Sequence, residues 1–293
     1  MHLHTRTTAL FFLAILCSCQ YAFCQTSFRL DKERGHYFIT TAVNGKADVR
    51  LLVATRLPGM VVGSKLFDSI FEESDFDKSF IPSQEDYSDS HLNNIKRVLH
   101  GTIVIGGLRY TGKVFVVEKG SLAVPVHLLK NETDSTANII RLNFKNRTLE
   151  YVSSNSFDAS KMHSFKTVEY APVPIFESTM ELADTYGHES TIDGRFIFDI
   201  ANGTPVFLFD KNIARFLKSN KFTLIAATDK SLNPAGKGIF AGFCKIGERT
   251  LNGISIGITD KLYYPGVLGS VGPSFFGNGD VLIDTKNEII LYR

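Results

Sequence analysis

Gly194-Arg195-Phe196-Ile197-Phe198-Asp199-Ile200-Ala201-Asn202-Gly203-Thr204 carries an apolar run into one carboxylate and then into a turn of small residues. A second apolar run, Val206-Phe207-Leu208-Phe209, follows it. The pattern predicts a buried strand, a turn and a second strand. An acidic side chain at the end of such a strand needs hydrogen bonds, a charge partner or a chemical role, because burying it bare costs several kcal/mol. Taken alone, the stretch is a strand ending in an Asx turn. The rest of the chain changes that reading.

The chain repeats itself. Val281 to Tyr292 reads strand, polar turn, strand, and Ile140 to Tyr151 has the same pattern with the same Lys-Asn at its turn, an offset of 141 residues (Asn287 against Asn146). Val104 to Tyr110 and Cys244 to Thr250 are a second pair, two glycine-turn hairpins offset by 140 (Gly247 against Gly107). Each is followed by another apolar strand, Val114 to Val117 and Ile254 to Ile258. The Asp199 turn then has its counterpart at Val49-Arg50-Leu51-Leu52-Val53-Ala54-Thr55-Arg56-Leu57-Pro58-Gly59-Met60-Val61-Val62, where Ala54 falls at the place of Asp199. Upstream of the two turns lie His36 to Val43, ending in the Asn44-Gly45 hairpin signal, and Val168 to Phe176. Downstream lie two helix-like stretches, Ser64 to Phe71 and Asp210 to Leu217. Two similar halves are expected.

Composition fits a β-rich protein: 24 Phe, no Trp and many Val/Ile/Thr strings in 293 residues. The 32 basic and 30 acidic residues nearly cancel, so no basic surface for nucleic acid is expected. Residues 1–24 read as an export signal: Arg6 is the positive region and Ala9 to Cys17 the apolar one, too short to span a bilayer. Cleavage after Cys24, with Ala22 at −3, is one expectation. Lipidation at Cys19 within Leu16-Cys17-Ser18-Cys19 is the other, and it is the one route to a membrane. Either way the protein is expected in a secreted, periplasmic or envelope-anchored location. The chain beyond the signal keeps Cys244 alone, so no internal disulfide is expected, and its alternating apolar surroundings predict a buried thiol. No CxxC, HExxH or His/Asp cluster is present, and neither a metal nor another cofactor is expected.

Two β-rich halves, each with a strand-turn-strand around a small-residue turn, resemble the pepsin-like and retropepsin-like aspartic peptidases. In that family each lobe contributes one Asp-Thr-Gly turn, and a later apolar-apolar-Gly strand crosses it. Pro265-Gly266-Val267-Leu268-Gly269-Ser270 matches that crossing strand, and Phe275-Phe276 with Val281-Leu282-Ile283-Asp284 resembles the closing segment. The resemblance covers residues 36–293 and is strongest in the second half. It implies an all-β fold of two homologous β-barrel-like lobes with a few short helices, the first at residues 25–160 and the second at 161–293.

The departures from that pattern bear on function. The family's chemistry needs two carboxylates close enough to share a proton, one activating water while the other protonates the substrate carbonyl. Here Asp199 is the one motif aspartate retained, and it is the candidate catalytic residue. Its opposite number is Ala54, and the expected glycine is Arg56. Thr55 matches the family threonine whose hydroxyl bridges the two turns, but its partner position holds Ile200. Counting back from Val267-Leu268-Gly269 places Val126-His127-Leu128 at the first crossing strand, without its glycine. Ala54, Thr55, Arg56, Ile200, Ala201 and Gly269 are the candidate binding residues around the cleft. Arg56 is expected either to reach across and pair with Asp199 or to face solvent while Asp199 is held by N–H groups of Ala201 to Gly203.

Other ionisable residues have simpler readings. Asp184 and Asp284 sit in hairpin turns, Asp48 is a solvated strand residue, and His127 is a structural histidine on an apolar stretch. The acidic stretch Glu72 to Asp89 is a solvated loop or, as in the family, a cover over the cleft. The resulting expectation is an exported aspartic-peptidase-like protein without catalytic activity that holds an extended peptide or protein segment. The alternatives are an active endopeptidase with a second carboxylate from elsewhere, and a structural cell-envelope protein using the fold as scaffold.

Overall fold

Asn44 and Gly45 both adopt positive φ, 45° and 79°, and join His36–Val43 to Lys46–Ala54 in a two-residue hairpin. Gly106 and Gly107, at 54° and 86°, join Ile95–Ile105 to Leu108–Val117 in the same way. A side chain on Gly106 would strike the Phe28 ring, so that turn is held to glycine by packing as well as by φ. These turns fix the register on which the first lobe is built. The computed structural model describes residues 26–87, 92, 94–132, 134, 136–210, 212–226, 237–259 and 264–293. The proposed export signal lies outside them.

The first lobe is a closed sheet. From His36–Val43 it runs through Lys46–Ala54, Leu122–Pro125, Met60–Gly63, Leu108–Val117 and Ile95–Ile105, and Val43 opposite Ile105 returns it to the start. The second lobe repeats this order strand for strand: Ile175–Ala183, Glu189–Phe198, Gly269–Val271, Val206–Leu208, Arg249–Ile258 and Lys237–Ile246, closed by Leu182 opposite Cys244. Closure leaves few free edges for foreign strands. Each lobe pairs its crossing strand in parallel with the strand leading into its turn, Val53 with Val124 and Phe198 with Val271.

A third layer lies beneath both lobes. Thr26–Arg29, Thr148–Val152 and Ile139–Asn143 from the first half continue into Asp280–Asp284, Ile289–Tyr292 and His163–Glu169 from the second. At the join Arg141 is opposite Leu282, and Ile139 and Asn143 are opposite Asp284 and Asp280. Shifting every residue by 141 returns the same pairs with the halves exchanged, which is the signature of a twofold axis through Arg141 and Leu282.

Two alignments drawn from the sequence are corrected here. The counterpart of His36–Val43 is Ile175–Ala183, not Val168 to Phe176. That segment ends one strand and begins the next, because Pro172 and Pro174 have no N–H to donate to a ladder. The first crossing strand is Leu122–Pro125, so Leu122 stands where Gly269 stands; Val126–Leu128 is a single 3₁₀ turn beyond it. The helix-like stretches form as Ser64–Ile70 and Ile213–Ser219, each placed after the strand that leaves its turn.

One apolar core runs through both lobes and the sheet beneath them. Within it Phe165, Tyr292, Phe276 and Phe198 form a chain of ring contacts, with centroids 4.7 to 5.5 Å apart, from the shared sheet up to the residue before Asp199. Each ring buries enough apolar surface to contribute about 1.5–3 kcal/mol. Asp199 therefore sits on a strand end that cannot shift without disturbing the core.

Candidate functional site

The two turns meet. Thr55, fully buried, donates its hydroxyl to the Phe198 carbonyl at 2.5 Å and accepts from the Ile200 N–H at 3.1 Å. One side chain thus satisfies two buried backbone groups of the opposite lobe. The reciprocal arrangement is absent, because Ile200 has neither donor nor acceptor on its side chain. The lobes are joined by half of a symmetric clasp.

Asp199 is 1% exposed, and both of its oxygens are engaged. Oδ1 accepts from the Ala201 N–H at 3.0 Å. Oδ2 lies 3.2 Å from Nε of Arg56, whose side chain is 29% exposed. Of the two arrangements expected, the cross-lobe pair is the one present, and the Ala201 N–H of the carboxylate's own turn holds the other oxygen. The buried charge is balanced by a guanidinium that still reaches water, which limits the desolvation cost of the pair. Ala54, 2% exposed, stands in the opposing turn at the place that answers to Asp199.

Two further residues tie the turns, and the sequence patterns did not single them out. His36 contacts the Ala201 carbonyl through Nδ1 at 2.7 Å, and Tyr264 donates its hydroxyl to the Arg56 carbonyl at 2.8 Å. His36 opens the strand paired with the Ala54 strand, and Tyr264 precedes the Pro265-Gly266 turn. Those positions were the only signals available.

Of the residues named from sequence, Ala54, Arg56, Asp199 and Ala201 line a cavity of about 420 Å³. Thr55, Ile200 and Gly269 lie buried behind it and hold the turns in place. A Cβ on Gly269 would collide with the Phe207 carbonyl oxygen. That close approach permits three pairs between Val206–Leu208 and the crossing strand. In the first lobe, with Leu122 at the equivalent place, one pair remains, Val61 with Ala123.

The other ionisable residues serve structure. Asp184 accepts from Tyr186 and His188 in its hairpin, and Asp284 from Lys286 and Asn287 in the last one. Asp48 is exposed on its strand. Cys244 is buried and free, and burial pushes its thiol up to about 12. His127 is buried with Nε2 2.8 Å from the Pro172 carbonyl and no partner for Nδ1. Burial lowers its pKa to about 4. Among the described residues no three of His, Cys, Asp or Glu are grouped as metal ligands would be.

The acidic stretch is exposed over most of its described length and forms the helix Gln84–Tyr87 after a 3₁₀ turn at Glu73–Asp75. Phe76 anchors it against Phe67 and Phe71, and Asp86 is paired with Lys113 at 2.5 Å. Residues 88 and 89 lie outside the described residues.

No protein-family model matches the chain, and no curated protein sequence matches it. Among solved structures, the fold is similar to that of the aspartic proteinase from Irpex lacteus, with a TM-score of 0.54 over 92% of this chain and 97% of that one. Identity between the two is 12%, so the likeness is one of fold.

Proposed function

We propose that this chain is an exported protein that uses an aspartic-proteinase-like fold to hold an extended peptide segment in its cleft without cutting it. The observation that carries the reading is the contact between Arg56 and Asp199. Hydrolysis by this fold requires two carboxylates that share a proton and polarise a water between them. With Ala54 in one turn, nothing there can share the proton. With a guanidinium on Oδ2 and an N–H on Oδ1, the remaining carboxylate is occupied as a structural anion. Cleft and turns remain, and main-chain hydrogen bonding is the general means by which such grooves hold extended peptides. Support for export is the Arg6 and Ala9 to Cys17 leader.

The test is incubation with unfolded protein and mixed peptides from acid to neutral pH, followed by mass spectrometry of the peptides and of what the protein retains. Retention without cleavage is expected. Cleavage that Asp199→Asn abolishes and a transition-state mimic of peptide hydrolysis blocks would overturn the reading.

A further inference from the structure

The cavity beside Asp199 is lopsided in two ways. Apart from Asp199 and Ala201, every described residue lining it comes from the first lobe. A groove through which a chain passed would draw its walls from both lobes. Here the way across is narrowed by Arg56, which reaches Asp199 with its side chain and Tyr264 with its carbonyl. The cavity therefore ends at the paired turns.

The second asymmetry is chemical. The walls are aliphatic, with Leu52, Leu57, Val61, Val117 and Ala123 all belonging to a small apolar cluster separate from the main core. Among the described residues, the charged side chains of the lining are Arg56, Lys119 and Asp199. Asp199 is matched by Arg56, while Lys119 is exposed and forms no ion pair among the described residues. Among the described residues, one positive charge is left over beside an apolar surface. A neutral stretch of peptide would leave that charge without a counterpart, whereas a carboxylate would supply one.

A second hollow adjoins the cavity at Gly120 and Ser121. It is an open depression of about 480 Å³ bordered by Phe38, Val49, Leu66 and Ile70. The two adjoining hollows offer more room than one small acid would fill.

We propose that the cleft binds the C-terminal end of a peptide, its free carboxylate beside Lys119, its apolar last side chain against Leu52, Val61 and Val117, and its preceding residues running past Gly120 and Ser121. The proposal rests on the peptide-holding reading above and adds which part of the peptide is held. Because Lys119 is exposed, the electrostatic part of the binding weakens as salt is raised.

The test compares three probes on the full chain: a pool of short random peptides with free C-termini, the same pool amidated, and dodecanoate. The free-acid pool should be retained, enriched in Leu, Ile, Val and Phe at its last position, and held at least about tenfold more tightly than the amidated pool. Lys119→Glu, an exposed change, should bring the free-acid pool down to the amidated level with the melting temperature unaltered. Equal retention of both pools would overturn end-on binding and leave the extended-peptide reading standing. Retention of neither would overturn both. An unaffected Lys119→Glu variant would overturn the carboxylate site, and binding of dodecanoate in place of peptide would overturn the peptide as occupant.

Discussion

Arg56 and Asp199 meet across the two lobes, Nε to Oδ2 at 3.2 Å, at the point where the two small-residue turns face each other. The contact sets an acidic side chain of one lobe against a basic side chain of the other. It is a joint between the halves.

If the joint is real in energy as well as in distance, the two residues are coupled. Arg56→Ala should destabilise the protein by about 3 kcal/mol, because it strands a buried carboxylate. Asp199→Ala together with Arg56→Ala should cost less than the two single changes added, a non-additivity readable from thermal or denaturant unfolding. Strict additivity would demote Asp199 to a residue of its own turn.

Thr55 gives a sharper version of the same question. Thr55→Val keeps the shape but leaves the Ile200 N–H and the Phe198 carbonyl buried without partners, an expected loss of about 2–3 kcal/mol. Thr55→Ser restores the hydroxyl and should recover most of that loss. Equal melting temperatures for the Val and Ser variants would mean that the clasp contributes packing alone.

His127 predicts an acid limb in the stability curve. Its imidazole takes a proton near pH 6.5 in an unfolded chain and, because burial disfavours the charge, at about 4 in the folded one. The unfolded state therefore binds more protons between those values, and stability falls as pH drops from 6.5 towards 4. The loss attributable to this group is about 3 kcal/mol. In His127→Gln that limb should flatten; an unchanged acid slope in urea unfolding would assign it to the carboxylates instead.

Gly269→Ala should cost about 2–3 kcal/mol, since the new methyl group meets the Phe207 carbonyl oxygen and the Leu208 side chain with no space to yield. The measurement is a melting temperature. A neutral result would show that the second crossing strand can relax as the first has done around Leu122.

The duplication was legible because hairpins mark themselves: Lys-Asn and Gly turns recur at fixed places, and their offset of 140 to 141 carries over to the shared sheet. The crossing strands were harder to find. Gly269 answers to Leu122, an offset of 147, because loop lengths differ between the halves, so counting by a constant 141 landed on Leu128. Val168 to Phe176 misled for another reason, as its apolar spacing hides two prolines that break the ladder. The partnership of Arg56 with Asp199 could be read from substitutions at paired positions. His36 and Tyr264 could not, since each acts through a single hydrogen bond to a backbone carbonyl and leaves no pattern in the sequence.

The self-matching join at Arg141 and Leu282 has a consequence for how the halves relate. A seam that maps onto itself is the seam two identical half-length chains would make on meeting. Once joined in one chain, the copies are released from having to be identical. The carboxylate here lies on one side and the guanidinium that neutralises it on the other. Two equal copies could not have divided those charges between them, for each would have carried both or neither.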